Sequence, residues 1–298
     1  MRTLLRSSLI AFIGMLGILA EDLPARYKTL SCAVIQVQSE SESGTAFFVN
    51  SAGRLATVAH VLYDVKYRML ATREVIAVTS AKPGLKIGFP SGATTDLKVP
   101  DPEPDTGRWA LLDLAVIETG LSTPCFIPLG DSDSLVVGQH LISIGFPSSA
   151  TSEVLYEGFL SSRAPRRPLS FGAIEGRPDL SYTPHYEVLR VQMPITPGAS
   201  GSPIITDSNV VGGIVSEVPI VLTRDVQRIA AAFGNKDVKS GITFGNFDLT
   251  KTVGELAWLV QQFETPGAGL AIPVSYLNRP DFLHLPPRGK PGAIKPPK

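Results

Sequence analysis

Between Leu30 and Leu277 the chain is a succession of short apolar runs cut by turn residues, and this rhythm narrows the fold more than any other feature. "LSCAVIQVQ", "TAFFVN", "RLATVAH", "VIAVTS", "LKIGFP", "TDLKV" and "WALLDLAVIET" are rich in Val, Ile, Thr and aromatics. "HLISIGFP", "VLYEGFLSS", "YEVLRVQM", "SPIIT", "VVGGIVSEV" and "GLAIPVSYL" continue the series. Turn segments such as "SESESG", "SAG" and "PDPEPDTG" separate them, and "TAFFVN-SAG-RLATVAH" reads as a hairpin. The chain spends 27 Gly and 25 Pro on such turns, and its apolar fraction of 44% is enough for a core. An all-β fold follows, and a disordered chain or a helical bundle does not. Lys and Arg number 27, as do Asp and Glu. That balance gives no electrostatic footprint for nucleic acid or an anionic membrane.

Two stretches interrupt the β pattern. Arg163–Pro184 reads as a polar loop carrying "RAPRRP". Pro219–Gly267 has helical character in "TRDVQRIAAAF" and "DLTKTVGELAWLVQQFE". In the second, Leu249, Val253, Leu256, Ala257 and Val260 share one helical face, and Asp248 or Thr250 is placed to cap its start. The ends differ from the middle. Residues 1–20 place Arg2 and Arg6 before an apolar run, Leu9–Leu19, and end in Ala20. That is the layout of a secretory signal peptide, and the run is too short for a membrane span of about 20 residues. Its presence implies a secreted or periplasmic protein with no stable membrane insertion after cleavage. Residues 21–285 form the folded part, and 286–298 a Pro/Lys-rich tail without apolar periodicity. The two cysteines, Cys32 in the first strand and Cys125 in a connection, fit either a disulfide or two small buried apolar side chains. Neither stands at metal-ligand spacing, and no metal or organic cofactor is implied.

"ITPGASGSPII" (Ile195–Ile205) raises the chemical question, because Ser200 sits among glycines before a strand. A serine hydroxyl needs a base and an orienting third group to act as a nucleophile. Of the four histidines, His60 closes the hydrophobic hairpin, whereas His140, His185 and His284 have structural or solvated readings. Asp113 lies in the apolar "LLDLAVIE", where a carboxylate costs free energy unless paired. Asp96, Asp101 and Asp105 fall in or beside polar turns, and Asp64 is a weaker candidate. The resulting order is His60, Asp113, Ser200. A lipase-like order would begin with serine inside G-x-S-x-G, but Ser202 replaces that last glycine; a subtilisin order would begin with aspartate. In the chymotrypsin order, the N–H groups of Gly198 and Ser200 form the oxyanion hole.

These segments resemble a trypsin-like (chymotrypsin-fold) serine protease, nearest the HtrA/Deg-like bacterial branch. "SGTAFFVNSAGRLATVAHVL" is similar to its histidine hairpin, "LDLAVIE" to its aspartate strand, and "IPLGDSDSLVVGQHLISIGFP" to its entry into the second barrel. "ITPGASGSP" is similar to its serine loop and "GLAIPVSYL" to its final strand. The resemblance implies two six-stranded antiparallel β-barrels, about 28–120 and 126–280, with a partly helical insertion in the second. It implies a serine endopeptidase with His60 as base, Asp113 as orienter and Ser200 as nucleophile, acting on protein or peptide substrates. Pro194, Ile195, Thr196, Ile214, Val215 and Ser216 would line the primary pocket and favour uncharged, aliphatic or small residues. Ala199 stands where digestive members carry an aspartate, which excludes their zymogen switch. The residues after the last strand are too few for the PDZ domain common in the branch. Homo-oligomers occur in that branch, and a catalytically silent homologue that binds peptides or a partner is the competing reading.

Overall fold

The computed structural model describes residues 22–40, 42–69, 71, 75–100, 112–148, 152–165, 174–175, 186–217, 243–244, 247–248 and 267–278. The expected signal peptide, the expected tail and nearly all of the helical reading of Pro219–Gly267 lie outside these residues. The chain opens with helix α1 (Leu23–Leu30), with Pro24 in its first turn, and a 3-10 turn, Ser31–Ala33. Strands β1 (Val34–Gln38), β2 (Ser43–Phe48) and β3 (Arg54–Thr57) follow, then a single helical turn, α2 (Ala59–Leu62). Next come β4 (Tyr63–Met69), β5 (Val75–Ala81), β6 (Lys86–Gly88), β7 (Thr94–Asp96) and β8 (Ala115–Glu118). The second half contains β9 (His140–Gly145), β10 (Val154–Pro165), β11 (Ile174–Glu175), β12 (Glu187–Gln192), β13 (Pro203–Ile205) and β14 (Val211–Glu217). A small ladder, β15 (Thr243–Phe244) with β16 (Phe247–Asp248), precedes β17 (Gly269–Pro273).

Strands β10-β12-β17-β14-β13-β9 close into a barrel, and β7-β6-β1-β2-β3-β8 form a curled six-stranded sheet. The β4–β5 hairpin stands off the first sheet, and β11 of the second half pairs parallel with β4. This is the two-barrel architecture, with one barrel closed by strand pairing and the other a rolled sheet. Leu141, Leu160, Leu189, Val191, Ile204, Val215 and Ala271 fill the closed barrel. The alternate residues Ile142, Ile144, Ile205, Ile214 and Ile272 point outward, yet they too are buried, in one cluster with Phe47, Phe48, Leu55 and Ile117 of the first sheet. Both faces of β9 are therefore buried, and full burial of each of its leucine and isoleucine side chains stabilises by about 1.5–3 kcal/mol.

Several elements differ from the sequence reading. The first strand begins at Val34, not Leu30, because the preceding residues form α1 and the 3-10 turn; Cys32 therefore sits in that turn and not in a strand. It is disulfide-bonded to Cys125 with a Cα–Cα distance of 5.7 Å. Helix α1 docks through Arg26, only 4% exposed, which donates to Thr206 O (2.7 Å), Asp207 Oδ1 (3.1 Å) and Asn209 Oδ1 (2.9 Å). Tyr27 Oη donates to Glu153 (3.0 Å), and burial with this bond pushes the phenol up to about 12. Strand β10 runs on to Pro165, through the start of the expected loop, because Arg163 pairs with Leu189 in the ladder and forks onto Glu187 (2.8 Å to each oxygen). The final strand ends at Pro273, and Val274–Asn278 turn as a 3-10 helix. No helix among the described residues is long and apolar enough to cross a membrane.

Candidate active site

His60 is carried by α2, between the hairpin and β4, where its side chain is 43% exposed. Its N–H donates to Asp113 Oδ1 at 3.0 Å, and its Nδ1 lies 3.0 and 2.9 Å from Oδ1 and Oδ2 of the same carboxylate. Two acceptors on one side fix the ring proton on Nδ1 and leave Nε2 as the acceptor nitrogen. Asp113 is not in a strand. It occupies the turn before β8 at φ 59, is 5% exposed, and its C=O accepts from Ala59 N–H (3.2 Å). The left-handed turn brings the carboxylate back under α2, which an extended residue in β8 would not do.

Ser200 lies between Gly198 and Gly201, both at φ +91. A Cβ at Gly201 would fall 1.8 Å from Thr45 O, so the close approach of the two barrels requires glycine there. Thr45 N–H donates to Ser200 C=O at 2.8 Å, which ties the serine loop to the histidine hairpin. Ser200 Oγ donates to Ser216 C=O at 3.2 Å, long for an O–H···O bond and so easily redirected. Ser216 Oγ in turn donates to Asp113 Oδ2 at 2.6 Å. Residue 216 thus links the serine of one barrel to the carboxylate of the other.

The sequence matches the family model described as a trypsin-like peptidase domain over residues 44–214. The chain belongs to the trypsin-like peptidase family. No curated protein matches it in sequence. Among solved structures, the HtrA-type protease AlgW with a tripeptide superposes with a TM-score of 0.51 at 19% identity, covering 86% of this chain and 60% of that one. Rv3671c from M. tuberculosis, a serine-to-alanine variant in an inactive form, gives a TM-score of 0.50 at 14% identity over 85% of this chain and 86% of that one. The chain therefore spans about 60% of the length of AlgW, and these likenesses show the fold.

In this trypsin-like peptidase the expected site residues separate into groups. Asp113 and Ser200 both bond to Ser216, and His60 joins them through Asp113. Of the residues expected to line the primary pocket, Ile195, Ile214 and Val215 are buried in the packed core at 4%, 0% and 1% exposure, whereas Pro194 and Thr196 are exposed. The Ser216 hydroxyl turns to Asp113. This bond was missed because serine in "GIVSE" looks like any small residue; its one signal is a lone hydroxyl in an apolar strand. Asp64 and Asp96 are exposed, and His185, His284, Asp101 and Asp105 lie outside the described residues. His140 bridges Asp207 (2.9 Å) and Glu157 (2.8 Å), and its hydrogen bond to Asp207 raises its pKa. Among the described residues no group of His, Cys, Asp and Glu is arranged to hold a metal ion.

Proposed function

We propose that the chain is an exported serine endopeptidase that cleaves peptide bonds through an acyl-enzyme. The observation that carries this reading is the grip of Asp113 on both the backbone N–H and Nδ1 of His60, with Ser216 relaying to Ser200. Ser200 Oγ attacks the peptide carbonyl as His60 Nε2 takes its proton, and the Nδ1–H stays on Asp113. The oxyanion meets the N–H groups of Gly198 and Ser200. Collapse breaks the C–N bond, His60 protonates the leaving amine, and water repeats the sequence to free the acid. Three donors face the buried Asp113 carboxylate, His60 N–H, His60 Nδ1–H and Ser216 Oγ–H, and offset the cost of burying it. The layout of residues 1–20 and the Cys32–Cys125 bond support secretion or a periplasmic location. Pro194 and Thr196, the expected pocket residues that remain exposed, carry no charge, which favours uncharged, aliphatic or small side chains in the substrate.

A fluorophosphonate probe read by intact mass tests this on the purified protein and its Ser200→Ala variant. Labelling of the wild type that vanishes in the variant is the expected result. A folded wild type that takes no label would overturn the acyl-enzyme reading and favour a silent homologue that binds peptides.

A further inference from the structure

Thr45 is fully buried in β2 of the first sheet, and three of its four hydrogen bonds are made to the second barrel. Its N–H donates to Ser200 C=O (2.8 Å), and its C=O accepts from Thr57 Oγ1 (2.6 Å). Its hydroxyl oxygen accepts from Phe146 N–H (2.9 Å) and lies 3.1 Å from Gly198 C=O. The N–H of Phe146 can only donate, so the one proton of the Thr45 hydroxyl goes to Gly198 C=O.

That proton matters because of how the serine loop is strung. Its peptides are trans, so C=O and N–H of each plane point opposite ways. Pro197 C=O is taken by Ser148 N–H (2.9 Å), which turns Gly198 N–H the other way. Ala199 C=O is taken by Ser202 N–H (2.9 Å), which does the same for Ser200 N–H. Among the described residues neither Gly198 N–H nor Ser200 N–H has an acceptor of its own. The plane between them, Gly198–Ala199, carries its N–H back to Thr196 C=O (3.1 Å) and its C=O to Thr45 Oγ1. Glycine at position 198 would let this plane rotate, and rotation would swing a carbonyl toward the place where the two donors converge. The Thr45 hydroxyl holds that carbonyl away.

We propose that Thr45 is a positioning residue for the oxyanion hole, a buried hydroxyl from one barrel that locks the Gly198–Ala199 peptide of the other. The assignment rests on Ser200 as the nucleophile. The test compares the wild type with Thr45→Val and Thr45→Ser in their rate of reaction with a fluorophosphonate, in which Ser200 Oγ bonds to phosphorus, fluoride leaves and His60 takes the proton. Each protein is followed across pH, with the folded fraction read by near-UV circular dichroism. Thr45→Val is expected to lower the plateau rate of the folded protein about tenfold or more, a part of the 10²–10³ lost when a donor is removed outright. The midpoint of the pH profile should not move, because His60 and Asp113 keep their contact. Thr45→Ser should restore the rate. Equal rates for wild type and Thr45→Val, or a serine variant as slow as the valine one, overturn the assignment. A shifted midpoint does so too, because it traces the loss to His60. If Thr45→Val does not fold, Thr45→Ala is read against Thr45→Ser by the same criteria. A folded wild type that resists the probe overturns the nucleophile reading, and the assignment falls with it.

Discussion

The Cys32–Cys125 bond closes a loop of 93 residues that contains the whole first sheet, β1 to β8. The chain-entropy model gives this cross-link an unfolded-state penalty of roughly 16 cal/mol/K, or about 4.6 kcal/mol near room temperature. Both cysteines are half-buried, so replacing sulfur by a hydroxyl adds little transfer cost. Cys32→Ser together with Cys125→Ser should therefore lower stability by up to about 4.6 kcal/mol, a large share of a typical 5–15 kcal/mol. Urea unfolding followed by tryptophan fluorescence measures the loss. The slope with denaturant should also steepen, because the unfolded chain is no longer held compact. The oxidised wild type placed in excess reductant should approach the double variant. A double variant whose midpoint and slope both match those of the oxidised wild type would refute the reasoning.

Asp113→Asn should leave the fold standing and cut kcat by about 10⁴, since an amide in place of the carboxylate steers the imidazole to the wrong tautomer; steady-state kinetics on a peptide cleaved by the wild type checks this. His140 contributes a pH term of definite sign. Its folded pKa lies above the unfolded value because the charged ring donates to Asp207 and Glu157, so its stabilisation is complete below the unfolded pKa and is lost as pH rises through the folded one. Wild-type stability measured by urea unfolding should fall across that window, and the fall should shrink in His140→Gln.

Strands with one or both faces apolar were legible, because alternation and turn chemistry are local. "HLISIG" and "VGGIVSE" became β9 and β14. The candidate triad was legible for a different reason: each member sits in a stretch whose neighbours explain nothing else. What stayed hidden depends on partners distant in sequence. Helix α1 is eight residues, too short to be stable alone, and "LPARYKTL" carries little amphipathic pattern. It is held by Arg26, whose partners Thr206, Asp207 and Asn209 lie about 180 positions away. The turn at Asp113 was equally unreadable, because "LLDLAVIE" is apolar enough to pass for a strand throughout. Its left-handed backbone is imposed by the bonds to His60 and Ser216. Thr45 opens the strand-like run "TAFFVN", and nothing in that run indicates the partners that the second barrel supplies.

The outward isoleucines of the closed barrel carry a consequence for how this molecule can be divided. A barrel without free edges looks like a unit that could be cut out and kept. Ile142, Ile144, Ile205, Ile214 and Ile272 are each fully buried, and they share one cluster with Phe47 and Leu55 of the other half. Excised, the barrel would show water a continuous greasy flank of the kind that drives self-association. The halves are thus separable on a topology diagram and inseparable in solvent. The boundary between the half that carries His60 and the half that carries Ser200 is packed with apolar side chains from both, which makes it a seam and not a hinge.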